Sequence, residues 1–126
     1  MRLTKNFWRH EMACKCGCGF DTIDWRTLEI AQLVCDHFAR IQDIPRVICR
    51  VHSAARCPTH NHAVGGSPTS QHVFGRAMDI SIAGVKPQEI YDYLLATFPD
   101  QYGFGLYNTF THIDTRSNGP ARWWIT

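Results

Sequence analysis

The sequence lacks a long apolar run and carries little net charge. None of its apolar stretches approaches the roughly 18 consecutive residues that a membrane-spanning helix needs. Lys and Arg number 13 against 11 Asp and Glu, which leaves a formal net charge of +2, and the basic residues are scattered. Nucleic-acid-binding domains instead concentrate basic residues on one face or along one helix. The sequence therefore predicts neither a membrane span nor a nucleic-acid partner.

The pattern of a secretory signal peptide is also missing. Residues 1–10 are basic, but they contain no apolar core segment and no small-residue cleavage site. We therefore expect synthesis in the cytoplasm. Any target outside the cytoplasm would be reached after lysis or through a dedicated export route.

The six cysteines do not predict an obligatory disulfide framework, because such frameworks belong to secreted chains. Three of the cysteines lie close together, as Cys14, Cys16 and Cys18. Structural zinc sites usually space their thiolates two to four residues apart. Cys14 and Cys18 fit that spacing, but no second cysteine pair follows. Free thiols, a disulfide and a second metal ion all remain open for this cluster.

Length and periodicity predict one domain over residues 1–126, with residues 1–23 as an irregular arm packed on it. Asp24 can cap a helix from about residue 25 to residue 42, where apolar residues recur at helical spacing. Pro87 can begin a second helix, which Pro99 ends. Strands are predicted at about residues 46–51, 80–82, 102–107 and 110–115, before a polar tail. Helices and strands mix without a regular βαβ alternation, which favours the α+β class.

The segment from residue 57 to residue 71 is too long for a passive connection in a small domain. It contains two prolines, two glycines and many polar residues. Long loops without secondary structure in compact domains are usually functional. We therefore expect a functional loop here.

Two histidines and one aspartate form a possible zinc set, namely His72, Asp79 and His112. Catalytic zinc sites typically take three protein ligands and leave the fourth position for water. A plain His–Asp hydrogen bond that holds a loop in place would use the same residue types. The rival histidine ligands are His52, His60 and His62.

Hydrolysis at such a site would also need a proton acceptor and a cation. Alternate side chains of a strand share a face, so Asp114 would lie beside His112 and could accept the proton of a zinc-activated water. Arg56 is our candidate for stabilising the negative charge that develops on the substrate carbonyl oxygen. Arg50 and Arg116 are the alternatives to Arg56.

These residues lie in segments that resemble a known family. The segment Ser70–Asp79 has the pattern SxHxxGxAxD and resembles the first zinc motif of the zinc D-Ala-D-Ala carboxypeptidases. Their superfamily includes phage L-alanyl-D-glutamate endolysins, lysostaphin-type peptidases and the hedgehog signalling domain. Residues 53–61 resemble the arginine-bearing segment of that family, and residues 103–107 with 111–116 resemble the second half of its site. Residues 7–14 and 121–123 also resemble its two ends, so the resemblance spans nearly the whole chain.

The resemblance implies a hedgehog/D-Ala-D-Ala-peptidase-like fold, with a small, mainly antiparallel sheet, flanking helices and a long active-site loop. It also implies one catalytic zinc ion held by His72, Asp79 and His112, with Arg56 stabilising the oxyanion. The chain departs from the family pattern at the base. Many members carry an acidic residue three positions before the last zinc histidine, or a histidine two positions before it, where this chain has Thr109 and Phe110. Asp114 is the carboxylate left nearby, and its alternative role is to hydrogen-bond a ligand or a neighbouring arginine.

The function that follows is zinc-dependent hydrolysis of an amide bond in the peptidoglycan stem peptide by a monomer. The small size resembles the phage endolysin type, so we expect an L-Ala-D-Glu endopeptidase that acts in the periplasm or the cell wall. One alternative is a D-Ala-D-Ala carboxypeptidase. Another is a zinc-containing binding module without catalytic activity, because the hedgehog domain resembles these enzymes without being a peptidase.

Overall fold

The structure is a computed structural model that describes residues 1–125. Local sequence signals account for its two longer helices. Helix α2 spans Trp25–Gln42, and the Asp24 carboxylate caps it by accepting a hydrogen bond from the backbone N–H of Thr27. Helix α4 spans Pro87–Thr97 and begins on its proline, whose missing N–H would have no partner in the first turn. Both predicted helices are confirmed.

Two shorter helices lie in segments that were predicted to be irregular. Helix α1 spans Arg9–Met12 within the N-terminal arm. Helix α3 spans Pro58–Ala63 within the long segment before residue 71. Each is too short to show a helical apolar period in the sequence, which is why the sequence did not predict them.

The described residues form a sheet of five strands, which belongs to the α+β class as predicted. The strand order is β1-β2-β4-β3-β5. Strand β5 runs parallel to β3, whereas the other neighbouring strands are antiparallel, so the sheet is mixed. The strands are β1 (Cys49–Ser53), β2 (Ala77–Ile82), β3 (Gly103–Leu106), β4 (Thr111–Asp114) and β5 (Ala121–Trp124).

The structure corrects two strand predictions. Strand β1 begins at Cys49 rather than near residue 46. Residues 121–124, predicted as part of a polar tail, form strand β5 beside β3. Trp123 and Trp124 favour a strand, but the polar and Gly/Pro-containing residues before them favour a tail, and the side chains of β5 are only half-buried or exposed. Strand β5 forms by pairing with β3, and the local sequence pattern does not indicate that pairing.

The two faces of the sheet have different roles. Met78 and Ile80 on β2, with Phe104 on β3 and Ile113 on β4, are fully buried in the apolar core together with α2 and α4. Because successive strand side chains alternate between faces, Asp79 points to the face opposite Met78 and Ile80. That opposite face carries the candidate site. Within residues 1–125, no helix has the length and apolar character needed to cross a membrane.

Candidate metal centre

The structure brings together the three side chains that the sequence singled out as a zinc set. His72, Asp79 and His112 are all buried. The Nε2 atom of His72 lies 3.1 Å from Asp79 Oδ2, and the Nδ1 atom of His112 lies 2.8 Å from Asp79 Oδ1. One ligand atom from each residue lies within 4.8 Å of the others. This group could hold one metal ion.

Strand register positions two members of the group. Asp79 on β2 and His112 on β4 are direct cross-strand partners, so their side chains leave the sheet side by side on one face. His72 comes from the turn that precedes β2. The ring of His72 is held by a 2.7 Å hydrogen bond between Nδ1 and the carbonyl oxygen of Ala54, which directs Nε2 toward Asp79.

The donor set fits zinc. When His72 donates its Nδ1–H to Ala54, its Nε2 lone pair is free for a metal, and this is how metal-binding histidines are usually held. His112 is also held by a hydrogen bond from one ring nitrogen, but here the bound nitrogen is Nε2 and the one that faces Asp79 is Nδ1. Its Nε2 lies 2.7 Å from Asp114 Oδ2, and its Nδ1 faces Asp79. Two imidazole nitrogens and one carboxylate oxygen in a buried group match the N and O ligands of catalytic zinc sites.

The charges of the group are set by mutual hydrogen bonds. Burial raises the pKa of Asp79, but hydrogen bonds from His112 and His72 outweigh it and hold that pKa well below its usual value. Burial lowers the pKa of His112, but Asp114 and Asp79 outweigh it and raise that pKa to about 8. Without metal, His112 therefore binds a proton at neutral pH, which zinc must displace.

Asp114 lies behind His112 and does not line the cleft in front of it. Its side chain is fully buried. Oδ1 accepts hydrogen bonds from the backbone N–H and the Nε–H of Arg116, and Oδ2 accepts from Arg116 Nη2 and faces His112 Nε2. A Cβ at position 103 would collide with this carboxylate, so Gly103 leaves room for the pair.

The same contacts govern the basicity of Asp114. Burial raises its pKa, but hydrogen bonds from Arg116 and His112 outweigh burial and hold the pKa well below its usual value. A general base works best with a pKa near the working pH. Asp114 in these contacts is therefore suited to orienting His112, which was its alternative role in the sequence.

A cleft of about 750 Å³ opens over the metal group. Its walls include residues 64–67 and 69–72 and the aromatic residues Tyr107, Phe110 and Trp123. The indole of Trp123 packs against the His112 ring at 5.0 Å between centroids and donates its N–H to the Tyr107 hydroxyl. Trp123 was not predicted as a wall residue, because β5 was not predicted as a strand.

Arg56 places a cation beside the metal group. Its Nη2 lies 4.0 Å from Asp79 Oδ2, and its backbone N–H donates to the His72 carbonyl oxygen at 3.1 Å. The guanidinium also donates to Asn61 Oδ1 at 2.9 Å and to Ser53 Oγ at 3.2 Å. These last two partners are neutral, so they orient the guanidinium without cancelling its charge.

The alternative cations and histidines lie outside the metal group or are bound to other partners. Arg50 is exposed on β1 and does not line the cleft, whereas Arg116 lines the cleft but is paired with Asp114. His52 is bound to Ser81 Oγ at 2.8 Å. Within residues 1–125, the rival ligands His52, His60 and His62 do not belong to the buried metal group.

Comparison with known proteins identifies one family. A protein-family model described as peptidase M15 matches residues 5–114, which is most of the chain. A search of curated proteins and a search of solved structures each returned no match. The matched range contains His72, Asp79, His112, Arg56 and Asp114.

Proposed function

We propose that this chain, which belongs to the peptidase M15 family, cleaves the L-Ala-D-Glu bond of the stem peptide. Membership of the family makes it a zinc metallopeptidase acting on peptidoglycan. The observation that carries the proposal is the buried group of His72, Asp79 and His112 beneath an open cleft, with Arg56 beside it. This arrangement supports amide hydrolysis within a bound peptide. We further propose that the protein acts in the periplasm or the cell wall, where such a peptide would be met. We also propose that the fold of this chain is related to that of the hedgehog domain, and that residues 64–72 are its active-site loop.

The charge of the cleft supports an endopeptidase over a carboxypeptidase. A carboxypeptidase must bind a terminal carboxylate in addition to stabilising the oxyanion. Among the described residues that line the cleft, the cations are Arg56 and Arg116, and Arg116 is neutralised by a two-point pair with Asp114. Arg56 has neutral hydrogen-bond partners, and the carboxylate nearest to it, 4.0 Å away, belongs to the metal group. Arg56 is thus the lining cation that can meet a substrate, and one cation suits the oxyanion alone.

We propose that His72 binds the zinc ion through Nε2, His112 through Nδ1 and Asp79 through its carboxylate. A zinc ion held there would supply a water molecule of lowered pKa and Lewis acidity toward the substrate carbonyl. The carbonyl of Ala54 and the carboxylate of Asp114 hold the two imidazoles as neutral ligands with their lone pairs toward Asp79. Arg56 stabilises the negative charge that develops on the carbonyl oxygen of the substrate.

We propose that Asp114 acts through His112, as a positioning residue. Its carboxylate fixes the ring orientation of His112 and compensates the positive charge of Arg116. The other role expected from the sequence, a general base, would require Asp114 to exchange a proton with water in the cleft. That role stays a prediction, and the Asp114→Asn variant separates the two.

Digestion of purified sacculi tests the bond that is cut. We expect the products to carry a new N-terminal D-Glu, identified by mass spectrometry after dinitrophenylation of free amines. The reaction should require zinc and should stop with a chelator. Release of D-Ala as the sole product would instead assign the carboxypeptidase activity and refute the endopeptidase proposal.

The Asp114→Asn variant tests the role of Asp114. Loss of a carboxylate that orients a zinc-bound histidine typically weakens metal affinity by about 10- to 100-fold, and we expect a loss of that size. Hydrolysis should fall with zinc occupancy and recover in part when zinc is added. Competition with a fluorescent chelator measures the affinity, and the exposed Asp100→Asn serves as the control. Unchanged zinc affinity with abolished hydrolysis would instead support Asp114 as the base.

A second candidate function is a zinc-containing binding module without hydrolysis. One observation favours it. Among the described residues that line the cleft, the carboxylates and imidazoles are the three of the metal group, so none is left over to accept a proton. Retention of the zinc-loaded protein on sacculi without any new termini would assign this function.

A further inference from the structure

Four cysteine thiols converge on the side of the molecule where the N-terminal arm meets the loop after β1. We call Cys14, Cys16, Cys18 and Cys57 the thiol cluster. Cys14, Cys16 and Cys18 belong to the segment between α1 and α2, and Cys57 precedes α3. The fourth thiol comes from 39 or more residues away, so the pattern of the first three did not reveal it. None of these cysteines belongs to the metal centre described above.

The sulfur atoms have the spacing of a metal-bound set. Cys14 Sγ lies 3.4 Å from Cys16 Sγ, and Cys16 Sγ lies 3.6 Å from Cys57 Sγ. All four sulfurs lie within 4.8 Å of one another. Four sulfurs arranged tetrahedrally about 2.3 Å from a zinc ion lie roughly 3.8 Å apart. A disulfide needs an S–S distance of about 2.05 Å, so the thiols of the cluster are not paired in that way.

Apolar packing does not explain the cluster. Cys14 is buried and Cys57 half-buried, but Cys16 and Cys18 are exposed. Thiols are weak donors and acceptors, so the contacts between unliganded sulfurs give little stabilisation, and exposed thiols are open to oxidation. Backbone N–H groups also point at the sulfurs: that of Cys57 donates to Cys14 Sγ, and that of His60 donates to Cys57 Sγ, both at 3.4 Å. Such donors stabilise the negative charge of thiolate ligands.

We propose that the thiol cluster binds a second zinc ion with a structural role. Four sulfur ligands close the coordination shell of zinc and leave no position for substrate, which is typical of structural sites. Binding forms four zinc–sulfur bonds and releases the thiol protons to solvent, with no change of oxidation state. The site needs no substrate and is independent of the proposed peptidase activity.

The ion would fix the segment that carries parts of the catalytic site. Cys57 directly follows Arg56, and the carbonyl of Ala54 holds the His72 ring. On the side of the arm, the N–H of Ala55 donates to the carbonyl of Met12 at 3.0 Å. The thiol cluster thus ties the N-terminal arm to residues 54–57 and so to the positions of Arg56 and His72.

Metal content per chain tests the proposal on the full-length protein. We expect two zinc ions per chain by elemental mass spectrometry. Cys18→Ser should lose one of them, and His72→Ala should lose the other. Cys49→Ser, a half-buried thiol outside the thiol cluster, is the matched control and should keep both. One zinc ion in the unaltered protein, with none left in His72→Ala, would overturn the second site while leaving the proposed peptidase intact.

X-ray absorption of the His72→Ala protein tests the ligands even if Cys18→Ser does not fold. The remaining zinc should show a shell of sulfur alone at about 2.3 Å. A shell of nitrogen or oxygen at about 2.0 Å, or a bound metal other than zinc, would overturn the assignment. So would a disulfide within the thiol cluster, seen as a mass deficit in the protein purified without reductant.

Discussion

The His72→Ala variant loses the zinc ion of the cleft, and peptidoglycan hydrolysis falls to the background rate. Alanine removes one of three ligands, and the Ala54 carbonyl and the Asp79 carboxylate lose the imidazole that lies between them. Catalytic zinc sites typically need three protein ligands, so the two that remain, Asp79 and His112, do not retain the ion. Hydrolysis is measured by the loss of turbidity of a sacculus suspension, and zinc by elemental analysis of the dialysed protein.

Stability falls in the same variant, because a ligand that binds only the folded state adds to the free energy of unfolding. That contribution is about 2.7 kcal/mol when free zinc is at 100 times its dissociation constant. The exposed His62 on α3 provides the control, and His62→Ala should keep zinc, stability and activity. Full activity in His72→Ala would refute the proposed ligand set.

The Arg56→Gln variant keeps its zinc but hydrolyses peptidoglycan more slowly, on the order of 10²- to 10³-fold in kcat, as expected when one donor to the oxyanion is lost. Glutamine can still donate one hydrogen bond, but it carries no charge to oppose the developing oxyanion. The change should fall on kcat more than on KM, because the charge develops in the transition state. Initial rates on a soluble stem-peptide fragment separate the two parameters.

Two further variants show whether the effect belongs to the charge of Arg56. Its contacts with Ser53 and Asn61 also shape the loop, so Arg56→Lys keeps the charge while losing the planar fork. We expect Arg56→Lys to retain more activity than Arg56→Gln. Arg50→Gln, on the exposed side of β1, should behave as the unaltered protein. A loss of less than tenfold in Arg56→Gln would count against its role at the oxyanion.

Much of the secondary structure was readable because its signals are local. Helix α2 has the predicted bounds, since an apolar period and a capping aspartate mark its length and its start. The alternation along residues 110–115 likewise marked β4, with His112 and Asp114 on one face. The pattern of residues 70–79 indicated that His72 and Asp79 could share a metal, and the structure brings their side chains together.

The remaining features depend on contacts between segments that are distant in the chain. Strand β5 was predicted as part of a polar tail, so Trp123 was not expected beside His112. The sequence placed Asp114 near His112 and left two roles open, a base or a hydrogen-bond partner of a ligand or an arginine. It did not decide that Asp114 lies behind His112 and pairs with Arg116. The register of the strands and the space left by Gly103 determine the position of Asp114, and no periodic pattern in the sequence indicates either of them.

The same division holds for the metal chemistry. By itself, the sequence determined the α+β class, the positions of the two longer helices and the candidate ligands, because periodicity and residue type are properties of short segments. Only the tertiary structure decided that Asp79 and His112 are partners on the neighbouring strands β2 and β4, and that Cys57 joins Cys14, Cys16 and Cys18. Both arrangements require loops to close and strands to pair, which costs conformational entropy. Burial of apolar surface throughout the core offsets that cost, so the residues at the two sites do not by themselves determine the arrangement.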